Sequence, residues 1–195
     1  MYQLKKVYSR IFNYFKKSFI QNTFLNNKIN KIEIYEMTYN LNDFEMYQFN
    51  NDDIEFVNFT IDKDEQLRCD IQNEIFNAPN RIPLRVTDIH WDENQSYYRN
   101  EWSIFLKKWD QFIGYGQIIL QDDIPQIVNL GIKKEFRGYG YGKQLLYYLL
   151  SLLLNTDYDS VKIRVEYKNN IAIDLYRKVG FTLNEKYLYN RVGDD

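Results

Sequence analysis

Three glycines alternate with larger residues in one short segment of this 195-residue chain, between positions 138 and 142. The residues before this segment, Gln126–Ile132, are mostly apolar and predict a buried strand. After it, seven of the ten residues at 145–154 are leucine, which predicts a core helix from about Tyr139 to Asn155. The leucine stretch is apolar on all sides but shorter than the roughly 20 residues that a membrane span needs. A strand, a glycine-rich turn and a buried helix in this order indicate mixed α/β structure.

The glycine-rich turn has the composition of an anion-binding site. Glycines let backbone amides approach and converge on a phosphate, and the start of the following helix adds partial positive charge. Four cations flank the turn and would add to that field from its rim: Lys133, Lys134, Arg137 and Lys143. The alternative is a glycine-rich helix entry that binds nothing, which leaves the alternating glycines and the cations without a role.

The spacing of the glycines argues against two common phosphate-binding loops. A Walker A loop has Ser or Thr after Gly-Lys, whereas Gln144 follows Gly142 and Lys143 here. A dinucleotide-binding loop has the spacing G-x-G-x-x-G after the first strand of a βαβ unit. Here the glycines are spaced G-x-G-x-G, and a predicted antiparallel hairpin, Trp102–Lys108 with Phe112–Leu120, precedes them.

Two sequence blocks resemble the GCN5-related N-acetyltransferase (GNAT) family. The family's acyl-CoA loop has the signature Gln/Arg-x-x-Gly-x-Gly/Ala, which reads here Arg137-Gly138-Tyr139-Gly140-Tyr141-Gly142. The family's second block, Asn-x-x-Ala-x-x-Leu-Tyr-x-x-x-Gly-Phe, is matched by Asn169, Ala172, Leu175, Tyr176, Gly180 and Phe181. The close resemblance covers about residues 126–192 and extends loosely back to Ile54 through the predicted order of strands.

The resemblance implies the α/β (α+β) class, with a mixed, mostly antiparallel sheet flanked by helices in a GNAT-like acyl-CoA N-acyltransferase fold. The apolar periodicity agrees and predicts the order β-α-(α)-β-β-β-α-β-α-β-β. The remaining predicted segments are strands at Ile32–Tyr39, Ile54–Ile61 and Ser160–Glu166, helices at Asp62–Phe76 and Ile171–Val179, a short helix or turn at Val86–Asp92, and a closing hairpin at Phe181–Val192. We divide the chain into an N-terminal extension, 1–53, and a GNAT-like acetyltransferase domain, 54–195.

In GNAT proteins the pantetheine arm of acetyl-CoA lies between two parallel strands that splay apart, here Gln126–Ile132 and Ser160–Glu166. The resemblance implies that the main chain of Leu130, Gly131 and Ile132 pairs with this arm. It implies that the pyrophosphate lies on the amides of Arg137, Gly138, Tyr139, Gly140, Tyr141, Gly142 and Lys143. Asn169 and Tyr176 would also contact acetyl-CoA. Tyr176 is the implied catalytic residue, because its hydroxyl would protonate the departing thiolate; a core aromatic is its alternative role.

A general base does not follow from the sequence. Many family members carry an acid on the strand before the glycine turn, where this chain has Gln126 and Asn129. The candidates by approximate location are Glu101, Asp122, Asp123 and Glu166, although an acid at such a position is more often a solvated charge. A chain of water molecules could serve instead. The aromatic stretch around Tyr97, Tyr98 and Trp102, with His90 and Trp91, predicts either a wall of the acceptor pocket or ordinary core packing.

The chain has one cysteine, Cys69, and one histidine, His90. A single thiol forms no internal disulfide, and one cysteine with one histidine is too few for a Cys/His metal cluster. We therefore expect no metal and a reducing, cytoplasmic location. Cys69 is predicted to fill the core and His90 to lie on the surface or in a loop.

Charge is unevenly distributed, although the net charge is only −2. Residues 1–28 hold six bases and no acid, and residues 29–80 hold twelve acids against three bases. This pattern lacks the basic footprint of a nucleic-acid-binding protein, so we expect no nucleic-acid partner. Apolar residues three and four apart in 1–28 predict a basic amphipathic helix. Docking of this helix on the domain or on a partner is the favoured interpretation, and contact with an anionic membrane is the alternative.

These observations predict an acetyl-CoA-dependent N-acetyltransferase, in which a primary amine of a small molecule or protein attacks the thioester directly. The alternative is a non-catalytic acyl-CoA-binding sensor or scaffold. The amine acceptor is the expected partner, and the sequence leaves monomer and homodimer both open.

Overall fold

A computed structural model describes residues 29–49, 53–79 and 81–192, so the helix predicted at 1–28 lies outside the described residues. The described strands are β1 Ile29–Asn40, β2 Ile54–Asn58, β3 Ser103–Lys108, β4 Gln111–Gln121, β5 Ile124–Ile132, β6 Ser160–Glu166 and β7 Thr182–Val192. The α-helices are α1 Glu65–Ile75, α2 Val86–Glu93, α3 Tyr141–Ser151 and α4 Asn170–Val179. No helix in these ranges is long and apolar enough to cross a bilayer.

All seven strands form one sheet in the order β2-β3-β4-β5-β6-β1-β7. Every neighbouring pair is antiparallel except β5 and β6, which are parallel. The mixed, mostly antiparallel sheet predicted from the sequence is therefore confirmed. The parallel pair lies near the middle of the sheet and is connected through α3, as a parallel crossover requires.

Helices cover both faces of the sheet, and two glycines set how closely they approach. A Cβ on Gly116 of β4 would lie 2.7 Å from Leu149 Cδ1 of α3, so glycine lets α3 pack directly on the strand. A Cβ on Gly131 of β5 would lie 2.3 Å from Ile75 Cγ2 of α1 on the other face. The leucine-rich α3 has Leu145, Leu146, Leu149 and Leu150 fully buried, which confirms the predicted core helix.

The first strand is an interior member of the sheet. β1 pairs with β6 from Ile34–Glu166 to Asn40–Ser160, and with β7 on its other side. Met37 and Tyr39 of β1 are buried in the main core. The sequence division at residue 53 places β1 in an extension, whereas in the structure residues 29–40 belong to the same sheet as the strands that follow.

Two predicted elements differ from the structure. The closing hairpin predicted at Phe181–Val192 is wrong, because Thr182–Val192 forms the single strand β7. Its partner is β1, from the other end of the described chain, so no return strand is needed. The core helix begins at Tyr141 rather than Tyr139, because Gly140 has a left-handed backbone (φ 85°) that ends the preceding turn.

Candidate functional site

Strands β5 and β6 separate after a short parallel contact. In the described chain they pair only at Gln126–Lys162 and Ile127–Ile163. Two residues further on, Asn129 has a left-handed backbone (φ 54°). There the pairing of β5 with β4 shifts register, which marks a β-bulge that bends the strand. From this bulge to the carboxyl ends of the strands, the β5 edge that faces β6 is free to pair with an extended ligand.

The predicted arm-binding residues lie along this gap. Gly131 and Ile132 pair with Tyr115 and Gly114 of β4 on the far side of β5. Leu130 is half-buried, and the Ile132 side chain is buried in the main core. β5 therefore stays attached to the sheet through β4 while its opposite edge borders the gap.

The glycine-rich turn closes the gap at the carboxyl end of β5. Gly138 and Gly140 both have φ of 85°, a conformation that favours glycine, and a Cβ on either would meet no atom within 4 Å. These two glycines thus face open space. A Cβ on Gly142 would instead point into the protein, 3.6 Å from Leu175 Cδ2.

Five consecutive amides in this turn have no partner among the described residues. The amides of Arg137 and Lys143 donate to Lys134 O and Gly140 O, whereas none of those from Gly138 to Gly142 donates to a backbone or side-chain acceptor. They belong to the turn and to the first residues of α3, where the helix dipole adds positive potential. An anionic phosphate group fits this cradle.

The predicted rim cations are mostly engaged with the protein itself. Arg137 Nε donates to Ile132 O at 2.8 Å and Arg137 Nη2 to Ile75 O at 3.0 Å, so this side chain joins the turn to β5 and α1. Lys133 pairs with Glu74 at 2.8 Å. Lys143 Nζ lies 5.2 Å from the centre of the Tyr47 ring. The backbone of the turn is therefore better placed for an anion than these three side chains are.

Asn169 and Tyr176 belong to α4, the helix that follows β6 in the chain: Asn169 immediately precedes the helix, and Tyr176 lies within it. Asn169 Oδ1 accepts from the Ala172 amide at 3.2 Å and so caps α4. Tyr176 is only 6% exposed and shares the main core with Ile132 and Tyr141. Burial raises the pKa of its hydroxyl to about 12, which keeps it protonated at neutral pH.

A buried polar network, which the sequence analysis missed, reaches the bulge from the α1–α2 face. Arg68 of α1 is 2% exposed and pairs with Asp92 of α2. Gln117 Oε1 of β4 accepts from Arg68 at 2.9 Å and from Asn129 at 3.4 Å, and Tyr97 donates its hydroxyl to Asp92 at 2.8 Å. Three aromatic rings lie around the guanidinium: Phe59, Tyr98 and Tyr115. No local pattern signals this network, because its polar members come from four helices and strands and from the loop that holds Tyr97.

Of the other candidate residues, Glu166 is the last residue of β6 and lies at the end of the gap, whereas the rest lie elsewhere on the surface or in the core. Asp122 and Asp123 form the β4–β5 turn, about 20 Å along the strand from Asn129. Glu101 and Glu166 are exposed. Tyr97, Tyr98 and Trp102 are buried, which supports core packing, whereas Trp91 is 37% exposed. Cys69 is buried and His90 lies on the surface of α2, as predicted.

A bulged strand that separates from its parallel neighbour, beside a glycine turn with free amides, is typical of one class of acyltransferases. The family model for the acetyltransferase (GNAT) family matches residues 68–181. The chain belongs to this family. The recognition made from the two sequence blocks is therefore confirmed.

Similar proteins agree with this assignment. The chain is 27% identical over 106 residues to a mycothiol acetyltransferase of Corynebacterium efficiens, covering 50% of this chain but only 36% of that protein. Its fold is similar to a GCN5-related N-acetyltransferase from Sphaerobacter thermophilus, with a TM-score of 0.70, 18% identity, and coverage of 82% of this chain and 51% of the other. It is also similar to the ribosomal-protein-S18-alanine N-acetyltransferase from Escherichia coli, with a TM-score of 0.56, 16% identity, and coverage of 68% and 79%.

Proposed function

We propose that this protein is an acetyl-CoA-dependent N-acetyltransferase that transfers an acetyl group to a primary amine. The observation that carries the proposal is the gap between β5 and β6, with the amides of Gly138–Gly142 at one end of it, which have no acceptor in the part of the chain that the structure describes. An extended amide-containing arm with a pyrophosphate at one end has the shape and charge that this arrangement complements.

Different residues around the gap would bind different parts of acetyl-CoA. The free edge of β5 at Leu130, Gly131 and Ile132 would bind the arm as an added strand does. The turn would hold the pyrophosphate, while Arg137 would keep the turn in place through its bond to the carbonyl of Ile132. Asn169, which caps the start of α4 through its side chain, would contact the arm from the side opposite β5.

The chemistry proposed for this site is direct attack by a neutral amine on the thioester carbonyl carbon. The new C–N bond replaces the C–S bond, and the sulfur leaves as a thiolate that takes a proton from Tyr176. The attacking nitrogen passes its own proton to water, and solvent returns a proton to Tyr176. Backbone amide near Leu130–Ile132 would stabilise the oxygen that becomes negative. Tyr176 would supply the proton to sulfur, because a phenol is un-ionised at neutral pH and can donate its proton to a thiolate.

The first test is calorimetric titration of the protein with acetyl-CoA, with CoA as the comparison. Binding would be followed by a panel of amines with detection of the released thiol. The panel includes small-molecule amines and peptides with N-terminal alanine, since one structural relative is named for that residue. Failure to bind acetyl-CoA and CoA would overturn the proposal.

A non-catalytic acyl-CoA-binding module is the second candidate. It is favoured by the absence of Asp and Glu from β5, Ile124–Ile132, the strand that carries an acid in many family members. Such a module would bind acetyl-CoA but release no thiol with any amine. Thiol release that depends on an amine would exclude it.

A further inference from the structure

Three potential metal ligands from two helices meet on the surface of α1 and α2. Glu65 is the first residue of α1, and His90 and Glu93 lie in the second half of α2. Their ligand atoms all lie within 4.8 Å of one another. These residues are not part of the acetyl-CoA gap, so the cluster stands independently of the proposed function.

The cluster contains a buried acceptor without a partner. The Glu93 side chain is 6% exposed, and Oε1 of this residue has no hydrogen-bond partner among the described residues. Its other oxygen, Oε2, lies 3.2 Å from His90 Nδ1. A buried carboxylate oxygen left unpaired costs free energy, and a cation at this point would satisfy it.

A second carboxylate lies beside the first. Glu65 is 6% exposed, and its Oε1 accepts from the amide of Asp62. Two carboxylates and one imidazole are thus held together where a divalent cation would relieve the repulsion between the acids.

We propose that Glu65, His90 and Glu93 bind a divalent transition-metal ion, with Zn²⁺ as the matching cation. Imidazole nitrogen with carboxylate oxygens is a donor set that zinc accepts, whereas Mg²⁺ and Ca²⁺ prefer oxygen alone. Ligands at zinc bond lengths stand about 3.3 Å apart in a tetrahedral site, so the cluster would close slightly around the ion. His90 is 47% exposed, which leaves that side open to a water as fourth ligand.

The bound ion would clamp α1 to α2. Glu65 lies one helical turn before Arg68, and Asp92 lies between His90 and Glu93, so the site sits next to the buried Arg68–Asp92 pair. A metal bridge here would restrain the same two helices that this pair joins. The sequence predicted no metal because cysteine and histidine are scarce. Glu65 and Glu93 were not considered as ligands, because they come together with His90 only in the folded chain.

The test uses the full chain without a polyhistidine tag, titrated with Zn²⁺ by calorimetry and by NMR of the histidine ring. Because His90 is the only histidine, the ring signals need no assignment. We expect one Zn²⁺ per chain and a shift of the His90 ring resonances that saturates at the same equivalence point. Glu93→Gln should weaken binding at least about tenfold.

The matched control is Asp70→Asn, which removes the same charge from an exposed position on α1 and should bind Zn²⁺ as the wild type does. Zinc binding that leaves the His90 resonances unshifted would overturn the proposal, as would the absence of binding. Equal affinity in Glu93→Gln and the wild type would also overturn it. The NMR result on the wild type does not depend on whether the variants fold.

Discussion

Arg137 Nε donates to the carbonyl oxygen of Ile132 at 2.8 Å, which ties the glycine-rich turn to the end of β5. The same guanidinium reaches Ile75 O, so one side chain joins the turn to a strand and a helix. The family signature has Gln or Arg at this position, and here the side chain organises the turn rather than pointing away from it.

Arg137→Ala should therefore weaken acetyl-CoA binding by loosening the turn, and should lower the free energy of unfolding by about 1 kcal/mol. Lys134→Ala is the control, because it removes one positive charge close to the turn and leaves the hydrogen bonds from Arg137 to Ile132 and Ile75 in place. Calorimetry and denaturant unfolding measure the two effects. Equal losses of affinity and stability in both variants would mean that Arg137 contributes only its charge, and not its hydrogen bonds to Ile132 and Ile75.

Gly140→Ala should reduce acetyl-CoA affinity more than Gly142→Ala does. Gly140 has a φ of 85° and faces open space, so an added methyl group strains the backbone and intrudes on the cradle. At Gly142 the methyl group would point towards Leu175 at ordinary contact distance. Titration with acetyl-CoA compares them, and similar affinities would argue against a ligand in front of the turn.

Tyr176→Phe should lower kcat while leaving acetyl-CoA affinity close to that of the wild type, because the hydroxyl is proposed to act on the leaving sulfur. The ring itself packs on Phe181, at 5.9 Å between centroids, and phenylalanine keeps that contact. Steady-state kinetics with the best amine, together with calorimetry, separates the two quantities. An unchanged kcat with chemistry rate-limiting would remove Tyr176 from the mechanism.

The pH profile gives a second check on Tyr176. Burial raises its pKa from the ordinary value of 10.0 to about 12, so the folded protein keeps this proton through pH 10. The kcat of the wild type should therefore show no fall with a midpoint near pH 10. Such a fall, absent from Tyr176→Phe, would show that the hydroxyl ionises more easily than its burial implies.

Asp92→Ala should destabilise the protein by about 3 kcal/mol, because it leaves the guanidinium of Arg68 buried without its counter-ion. Asp110→Ala, at the exposed turn between β3 and β4, should change stability little. Denaturant unfolding measures both. Adding Arg68→Met to Asp92→Ala should restore part of the lost free energy of unfolding, because it removes the unpaired charge. If stability is not restored, the unpaired guanidinium is not the cause of the destabilisation.

A chain that starts at residue 54 should fail to fold cooperatively, whereas one that starts at residue 29 should fold. Removal of β1 exposes β6 and β7 and takes Met37 and Tyr39 out of the core. Thermal unfolding followed by circular dichroism compares the two chains. A cooperative transition in the shorter chain would show that residues 54–195 suffice, as the sequence division assumed.

Local patterns were enough to predict most of the elements and their order. The alternation of apolar residues predicted the strand Ser160–Glu166, and the structure has β6 with the same bounds. The run of leucines predicted the helix α3. The family resemblance supplied the separated parallel strands. The spacing of the glycines predicted the turn at Gly138–Gly142. That prediction needs only local information, because the positive φ values of Gly138 and Gly140 depend on the residues themselves.

The sequence by itself determined most of the helices and strands, the family and the position of the glycine-rich turn, since each depends on residues close together along the chain. Only the tertiary structure decided that β1 lies between β6 and β7, and that Arg68, Asp92 and Gln117 form one network. The same holds for the cluster of Glu65, His90 and Glu93. These contacts join residues far apart in sequence, and pairing over such distances is set by packing of the whole sheet and its helices, which no short pattern encodes.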